Sequence, residues 1–501
     1  MGPTTQALRL SSKHETTENL RVGWRGWAAL VVLMLPVLLV SVDNTVLSFA
    51  LPAISAHLAP TSIEQLWIID VYPLVLAGLL VTMGTLGDRF GRRRMLLIGA
   101  TGFGVVSVLA AFAPTAALLI AARAGLGVFG AMLMPSTLSL LRSIFLDRDQ
   151  RRLAIAVWAS MFSAGAALGP IVGGILLEHF FWGSVFLLAV PVLLPLLVLA
   201  PLLVPETRDP NPGRIDLVSI ALSMLALVPV VYAIKSIALD GLGIKPIALF
   251  LVGGLFGWAF VRRQLRSTSP MLDMRLFRIP TFTGALLVNL LSVLALVGFL
   301  YFIAQHLQLI VGLSPLWAGV SLLPCLAMMI VSGLAVVPIA KRLDARVIVP
   351  VALMFSLIGY LLVALVADNG SLGWMIVASV SLGLGIGAAE TVSNDLILTS
   401  APPAKAGAAS AVSETAYELG AVMGTAVLGG ILSALYRARL VVPEGLAPDA
   451  VDASRETLAG AMTTADATGG ALGEQLRLAA GHAFDQGCLL YTSPSPRDAT
   501  L

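Results

Sequence analysis

The chain has 501 residues, of which 58% are apolar and only 12% are charged, and its formal net charge is +3. A soluble globular chain carries charge at about a quarter of its positions, so this composition excludes an ordinary soluble protein and a disordered one. Two cysteines exclude a disulfide scaffold, and the small net charge excludes a nucleic-acid binder. The composition predicts an all-α integral membrane protein with many spans.

The polar N-terminal segment, residues 1–25, carries basic residues and is followed at once by the first apolar run. No small-residue cleavage site follows that run, so it is predicted to be an uncleaved first span. Runs long enough to cross a bilayer then recur along the chain. The thirteen predicted spans cover residues 26–51, 63–86, 95–112, 115–141, 152–177, 183–204, 215–236, 246–261, 283–310, 315–340, 347–367, 372–399 and 407–435.

The distribution of basic residues predicts the orientation, because cytoplasmic loops carry an excess of Lys and Arg. Counted from the N-terminal segment, alternate loops hold most of the basic residues, with clusters at 87–94, 142–152 and 262–278. The opposite side holds few, namely Lys235, Lys245, Arg437, Arg439, Arg455 and Arg477. We therefore expect the N-terminus to lie in the cytoplasm.

The loop between the second and third predicted spans reads GDRFGRRR, and its key positions are Gly87, Asp88, Arg89, Gly91 and Arg92. Glycine permits a tight turn, arginines anchor the inner face, and Asp88 can pair with an arginine or a helix N-terminus. On composition alone this is a basic inner loop. A second string, KRLDAR at 341–346, occupies the loop after the tenth span but lacks the Gly-Asp core.

Small residues four apart lie on the fifth predicted span, in the string GAALGPIVGG. Such spacing makes a flat face on which a second helix packs closely, and a proline in the same span removes one backbone hydrogen bond. The positions concerned are Gly165, Gly169, Pro170, Gly173 and Gly174.

The C-terminal region departs from the pattern of apolar spans. Residues 436–480 are polar and are predicted to form an outer loop, and 481–487 read like the approach to another span. Residues 488–501 are polar and rich in proline, so we expect that a fourteenth helix has been lost at an atypical, non-native tail; the alternative is a genuine thirteen-span protein.

Several strings together resemble a known family. The loop 87–94 resembles the signature loop of the major facilitator superfamily, and the string of the fifth span resembles the antiporter motif of its exporters. VDNTVLSFALP at 42–52 is similar to the LDxTVVNVALP signature of the fourteen-span drug:proton antiporters, departing at Val42, Ser48 and Phe49. WIIDVY at 67–72 and SETAYELG at 413–420 also look like that subfamily. The resemblance covers residues 26 to about 487.

The resemblance implies two six-helix bundles joined by two inserted central helices. On this basis the cytoplasmic N-terminal segment is 1–25, the N-terminal bundle 26–204, and the linker with the inserted helices 205–282. Helices of the C-terminal bundle then occupy 283–435, and the outer loop and approach to the last helix occupy 436–487. The implied protein is a monomeric multidrug exporter of the bacterial plasma membrane that exchanges protons for lipophilic, mainly cationic drugs, dyes or quaternary ammonium compounds.

Three charged residues interrupt the spans of the N-terminal half: Asp43, Asp70 and Arg123. At about 1.5 Å per residue, all three lie roughly 10–12 Å from the outer ends of their spans. A charge in hydrocarbon requires a partner or a function. We expect Arg123 to neutralise one carboxylate and to leave the other free to carry a proton, without deciding which; the alternative is a structural network that joins three spans.

Acidic residues also interrupt the C-terminal spans. Glu414 and Glu418 lie four residues apart on the thirteenth span, and Glu390 lies with Asn394 on the twelfth. Carboxylates in an apolar, aromatic cavity suit lipophilic cations. We therefore expect Glu390, Glu414 and Glu418 to bind substrate or protons. His306, in the ninth span, is predicted to be only a polar packing partner.

No enzyme or metal motif is present in the sequence: it lacks HExxH, GxSxG, a nucleotide-binding GxxxxGK[ST] and metal-ligand Cys/His spacing. The prediction is therefore a transporter without catalytic residues, cofactor or metal, driven by an ion or substrate gradient. Two alternatives remain open. One is a transporter of the same fold for an endogenous metabolite, lipid or siderophore; the other is a non-transporting membrane sensor or enzyme.

Overall fold

A computed structural model describes residues 22–208, 216–241, 243–267, 270, 274–366, 372–400 and 406–489. Over these residues all regular secondary structure is helical. Twelve of the described helices are long and apolar enough to cross a membrane. The predicted all-α integral membrane class is therefore confirmed. The greater part of the predicted N-terminal segment and of the predicted tail lies outside the described residues.

Long helices follow one another along the chain in close agreement with the thirteen predicted spans. Their bounds are α1 Trp24–Leu58, α2 Ser62–Phe90, α3 Arg92–Ala111, α4 Ala116–Ile144, α5 Arg148–His179, α6 Ser184–Leu203, α7 Leu217–Asp240, α8 Ile244–Arg266, α9 Pro280–Ile310, α10 Pro315–Ile339, α11 Ala345–Val366, α12 Leu372–Ser400, and α13, which comprises Ala406–Met423, Gly424–Gly429 and Gly430–Arg439. Of these thirteen helices, α5 is the one outside the twelve, because its described apolar part is the shorter stretch Ala164–His179.

The segment predicted as an outer loop, 436–480, is instead largely helical. It contains the end of α13, two short helices, α14 (Pro448–Glu456) and α15 (Leu458–Thr468), and the first half of α16 (Gly470–Leu489). Low hydropathy predicts a polar segment outside the spans but not its helices, which begin at Pro448 and at the Thr457 cap. The predicted approach to a last span, 481–487, already lies inside α16.

Several of the long helices begin at a residue whose side chain caps the helix N-terminus. Thr61 and Glu64 form a reciprocal capping box at the start of α2, and Asp147 accepts from the Gln150 amide at the start of α5. Asp216 caps α7 and also pairs with Arg263 of α8 at 2.9 Å. Hydrogen bonds from the Arg263 guanidinium lower the pKa of the Asp216 carboxyl to about 2.

The packing of the helices divides them into neighbouring groups. Within the first six, α1 packs on α5 and α6, and α2 and α3 pack on α4. Among the later helices, α12 packs on α9, α10 and α11, and α13 packs on α9. The helices α7 and α8 pack mainly on each other, and α7 also contacts α2 and α13. Only 17% of the apolar window of α7 and 11% of that of α8 are buried, so this pair lies at the edge of the molecule.

The long helices meet at two ends, which we call the loop end, where residues Gly87–Arg94 lie, and the far end. Contacts between early and late helices are made at the far end. Gln308 donates to the Phe49 carbonyl at 3.1 Å, and Ser62 of α2 hydrogen-bonds Glu456 of α14 at 3.1 Å between Oγ and Oε2. The first turn of α10 lies against α5, with Gly319 beside the Pro170 carbonyl. The structure is thus sealed at the far end.

Two of the long helices contain a π-helical turn in the same half of the molecule. One is His306–Ile310 at the end of α9, and the other is Gly424–Gly429 within α13. The wider turn interrupts the regular i to i−4 hydrogen-bond pattern, and such turns are frequent at functional sites. The turn of α9 lies against α15 and α16, and the turn of α13 lies against α2, α7 and α9.

Candidate functional site

The Asp43 carboxylate of α1 and the Arg123 guanidinium of α4 form a buried ion pair with an Nη1–Oδ2 distance of 2.6 Å. Their side chains are 9% and 2% exposed. Arg123 also donates from Nε to the Ile68 carbonyl at 3.2 Å and lies 4.5 Å from the Tyr72 ring centroid. The guanidinium therefore joins α1, α2 and α4 and is fully enclosed by its partners.

Asp70, the second acid of the N-terminal half, has its own counter-ion. Lys235 of α7 places Nζ at 2.8 Å from Asp70 Oδ2, and both side chains are at most 1% exposed. The ammonium also lies 4.0 Å from the centroid of the Trp67 ring. The prediction that one of the two acids is left unpaired is therefore wrong. The prediction failed because it assigned Lys235 to the outer side of the membrane. In the structure α7 continues past Lys235 to Asp240, and Lys235 is completely buried.

Glu418 of α13 brings the two predicted groups of acids together. It is 4% exposed, and its Oε2 has no hydrogen-bond donor among the described residues. It lies within electrostatic range of Glu414 and also of Asp43, both of like charge. Tyr72, buried on α2, is within range of Asp43, Glu418 and Arg123. The Tyr72 ring itself packs edge-on against Phe103 of α3 and under the Arg123 guanidinium of α4.

Glu390 of α12 lies near the same region, since Tyr417 of α13 is within electrostatic range of both Glu390 and Glu418. The sequence alone left open whether Tyr417 faces these acids, because it is about 100° round the helix from Glu418. A chain of hydrogen bonds lies beside them: Asn289 donates to Ser413 at 3.4 Å, and Ser413 donates to Asn394 at 3.1 Å. These polar contacts join α9, α12 and α13 next to the acidic group.

A small cavity borders Asp43 on the side of α3 and α6. Ser107 and Phe186 line it together with Val42 and Val46, and its volume holds about one water molecule. The Asp43 carboxylate therefore has a cation on one side and space for a water-sized group on the other.

The predicted inner loop forms a compact turn in which Asp88 pairs with Arg92 at 2.8 Å, as its sequence predicts. Gly91 has a φ of +115°, a conformation that favours glycine. The carboxylate of Glu206, beyond the end of α6, accepts from the backbone amides of Arg93 and Arg94 at 3.1 and 3.2 Å. The Arg89 guanidinium lies 5.9 Å from the centroid of the Phe90 ring.

The small residues of α5 lie against two neighbouring helices. A Cβ at Gly165 would lie 2.9 Å from the Leu38 carbonyl oxygen of α1, and one at Gly169 would lie 3.1 Å from that of Val42. Further along, a Cβ at Gly174 would lie 2.5 Å from Leu316 Cα of α10. Gly173 faces Val46, and Pro170 faces Gly319. The motif therefore packs α5 onto α1 and closes the far end against α10.

His306 was predicted to be a polar packing partner, and its Nδ1 lies 2.7 Å from Asp485 Oδ1 of α16. Phe484 stacks on Phe302 next to this pair, with 5.5 Å between centroids. Sequence reasoning missed Asp485 because it was assigned to the approach to a span. The available signal was the string HAFDQ at 482–486, in which an acid directly follows a phenylalanine. No cluster of three or more potential metal ligands occurs among the described residues.

Buried charges inside a bundle of membrane-spanning helices, sealed at one end, define a polytopic membrane transporter. A profile of the Major Facilitator Superfamily matches residues 33–425 of the chain. The chain belongs to this superfamily.

Relatives are similar over most of the chain. The multidrug efflux pump LfrA of Mycolicibacterium smegmatis is 57% identical over 472 residues, which are 94% of each protein. The methyl viologen resistance protein SmvA of Salmonella typhimurium is 37% identical, over 92% of this chain and 93% of its own. The tetracenomycin C resistance and export protein of Streptomyces glaucescens is 33% identical, over 84% and 78%.

The fold also resembles solved structures. A crystal structure of a bacterial homologue of the human lysosomal transporter Spinster superposes with a TM-score of 0.66 at 17% identity, covering 94% of this chain and 95% of that one. The fold and the relatives are those of membrane transporters and not of enzymes.

Proposed function

We propose that the protein exports lipophilic organic cations from the bacterial cytoplasm in exchange for protons. The observation that carries this proposal is Glu418, a buried carboxylate within range of Asp43 and Glu414, one oxygen of which has no donor among the described residues. Arg123 pairs with Asp43, and Arg142 lies within electrostatic range of Glu414. Glu418 therefore adds negative charge to the apolar interior beyond what these two cations balance. A proton or an organic cation can balance that charge, so the two compete for the same groups.

Aromatic rings beside the acids favour organic cations over hydrated metal ions. Tyr72 and Tyr417 are both near Glu418, and ring faces attract quaternary ammonium groups when water is excluded. The relatives named for multidrug efflux and for resistance to methyl viologen support the same substrate class. A monomer acting in the plasma membrane, with a cytoplasmic N-terminus, is part of this proposal.

Alternating access supplies the transport step. We assign the bundles to residues 26–204 and 283–435, which rock about the acids between them. The turn at Gly87–Arg94, with Asp88, Arg89 and Arg92, would then act at the cytoplasmic end, and the glycine face of α5 at the outer end.

A second candidate is export of an endogenous metabolite by the same fold. The relative named for tetracenomycin C export supports it. In that case the acids would still exchange protons, but a lipophilic cation would not be the preferred substrate.

The test is transport in proteoliposomes that contain a pH-sensitive dye, with tetraphenylphosphonium as substrate. We expect its movement to be accompanied by opposite proton movement, and Glu418→Gln to lower the coupled flux about ten-fold or more. Asp452→Asn, on the exposed surface of α14, is the matched control and should leave the flux unchanged. Substrate movement without proton movement, or an undiminished flux in Glu418→Gln, would contradict the proposal.

A further inference from the structure

Lys235 is a buried cation on a helix that lies at the edge of the molecule. It lies on α7, a helix that is mostly exposed, yet its own side chain is 1% exposed. The sequence Leu217–Asp240 that surrounds it is otherwise apolar over most of its length. A lysine that points from a peripheral helix into the interior demands a specific partner there.

The partners of Lys235 are the chemical groups that recognise an organic ammonium. The Asp70 carboxylate supplies the opposite charge at 2.8 Å, and the Trp67 ring supplies a π-face at 4.0 Å. Trp is the strongest of the aromatic side chains in cation–π binding. Tyr232, one turn before Lys235, has its ring 6.2 Å from that of Trp67 and extends the aromatic surface along α7.

The Lys235–Asp70 pair lies where α2 and α13 meet, so a change at the far-end seal would reach it. Leu74 of α2, Val231 of α7 and Val422 of α13 form one small apolar cluster next to it, and Thr425 of α13 lies beside Asp70. Asp70 is therefore enclosed where α2, α7 and α13 meet. Any separation of α2 from α13 at the far end must also change the surroundings of the Lys235 ammonium.

We propose that Trp67 and Asp70 form a binding subsite for lipophilic organic cations, which Lys235 fills in the sealed state. Lys235 is then a tethered competitor of the substrate. Two cations cannot share one buried carboxylate without repulsion, so a substrate enters the subsite by replacing the lysine. The inference rests on the proposed function, because it assumes that organic cations reach the interior.

The first experiment measures equilibrium binding of tetraphenylphosphonium to the purified full-length protein. We expect Lys235→Ala to bind the probe about ten-fold more tightly than the wild type. The double variant Asp70→Asn with Lys235→Ala should lose this gain, and Lys235→Met should retain it in part, which separates lost charge from added space. If Lys235→Ala binds no more tightly than the wild type, or if the double variant keeps the gain, the subsite is refuted.

The second experiment uses the wild type and so does not depend on a variant that folds. Brief labelling with an amine-reactive reagent, read by mass spectrometry, reports the exposure of individual lysines. Saturating tetraphenylphosphonium should increase labelling of Lys235 several-fold, while Lys341, an exposed lysine at the loop end, serves as the internal reference. Unchanged labelling of Lys235 with the probe bound would overturn the inference, whereas absence of any probe binding to the wild type would instead contradict the proposed function.

Discussion

Arg123 shows how one residue fixes the geometry of a charged interior. It pairs with Asp43, donates to the Ile68 carbonyl and lies on the Tyr72 ring. A lysine at this position would have one compact donor group and no planar face, so it would not reproduce the three contacts. The position of the Asp43 carboxylate thus depends on a guanidinium.

At this scale we predict a strongly non-additive double-mutant cycle. Arg123→Met leaves Asp43 buried without a counter-ion, and the loss of a single partner of a buried pair costs about 3–5 kcal/mol. Asp43→Asn together with Arg123→Met removes both charges and should recover most of that loss. Thermal unfolding in detergent measures the difference. Equal destabilisation in the single and double variants would show that the pair has no structural role.

The sequence predicts the charged residues of the site more readily than their partners. Asp43, Asp70 and Glu418 can be identified from the sequence because an acid inside an apolar run costs free energy and is therefore rare. The partner of Asp70 is not visible, because Lys235 lies more than a hundred positions away and near the end of a span. Nothing in periodicity or hydropathy specifies how α7 is placed against α2.

Among the elements, α5 is positioned by its glycines, which have no side chains to keep neighbouring helices apart. Its glycines let the backbone of α1 approach on one side and that of α10 on the other. In a membrane, where helix association depends on close packing and not on the hydrophobic effect, such a face is a principal source of affinity between helices.

Gly165→Ala should therefore separate α5 from α1. The new Cβ would meet the Leu38 carbonyl oxygen at 2.9 Å and the Ser41 Cβ at 2.7 Å, and overpacking of this kind costs about 1–3 kcal/mol. Gly104→Ala is the matched control, since no atom lies within 4 Å of its Cβ. We expect the control to be as stable as the wild type or slightly more so. A neutral Gly165→Ala in thermal unfolding would contradict the close packing.

Predictability also differs between elements. The spans α1–α13 follow from hydropathy because each must satisfy its backbone within lipid. The helices α14–α16 do not, because they lie at the far end, where polar loops and polar helices have similar compositions. Their helical state depends on tertiary contacts such as Tyr436 donating to the Ser454 carbonyl at 2.7 Å and the stacking of Phe484 on Phe302.

For the whole molecule, the seal at the far end sets the state of the transporter. The α2 terminus is held by α14 through Ser62 and Glu456, and Gln308 of α9 holds the α1 backbone at Phe49. Together with α5 against α10, these contacts close one end of the space between the early and the late helices. Transport by alternating access requires that they break in every cycle.

A reversible cross-link at this seal should stop transport. Ser62→Cys with Glu456→Cys, oxidised to a disulfide, is expected to abolish tetraphenylphosphonium transport, and a reductant should restore it. Either single variant, treated with the same oxidant, controls for the native cysteines. Full transport by a completely cross-linked protein would mean that this contact persists throughout the cycle.

The two π-helical turns indicate how such an opening can be achieved without displacing whole helices. In each, a widened turn leaves a backbone carbonyl outside the regular ladder, and this local underwinding lowers the resistance to bending. The turns lie at His306–Ile310 and Gly424–Gly429. We therefore expect Gly430–Arg439, the part of α13 beyond its turn, to hinge outward during opening, while the part of α13 that holds Glu414 and Glu418 keeps its place. In α9 the bend would fall at the end of the helix, because the turn itself ends it.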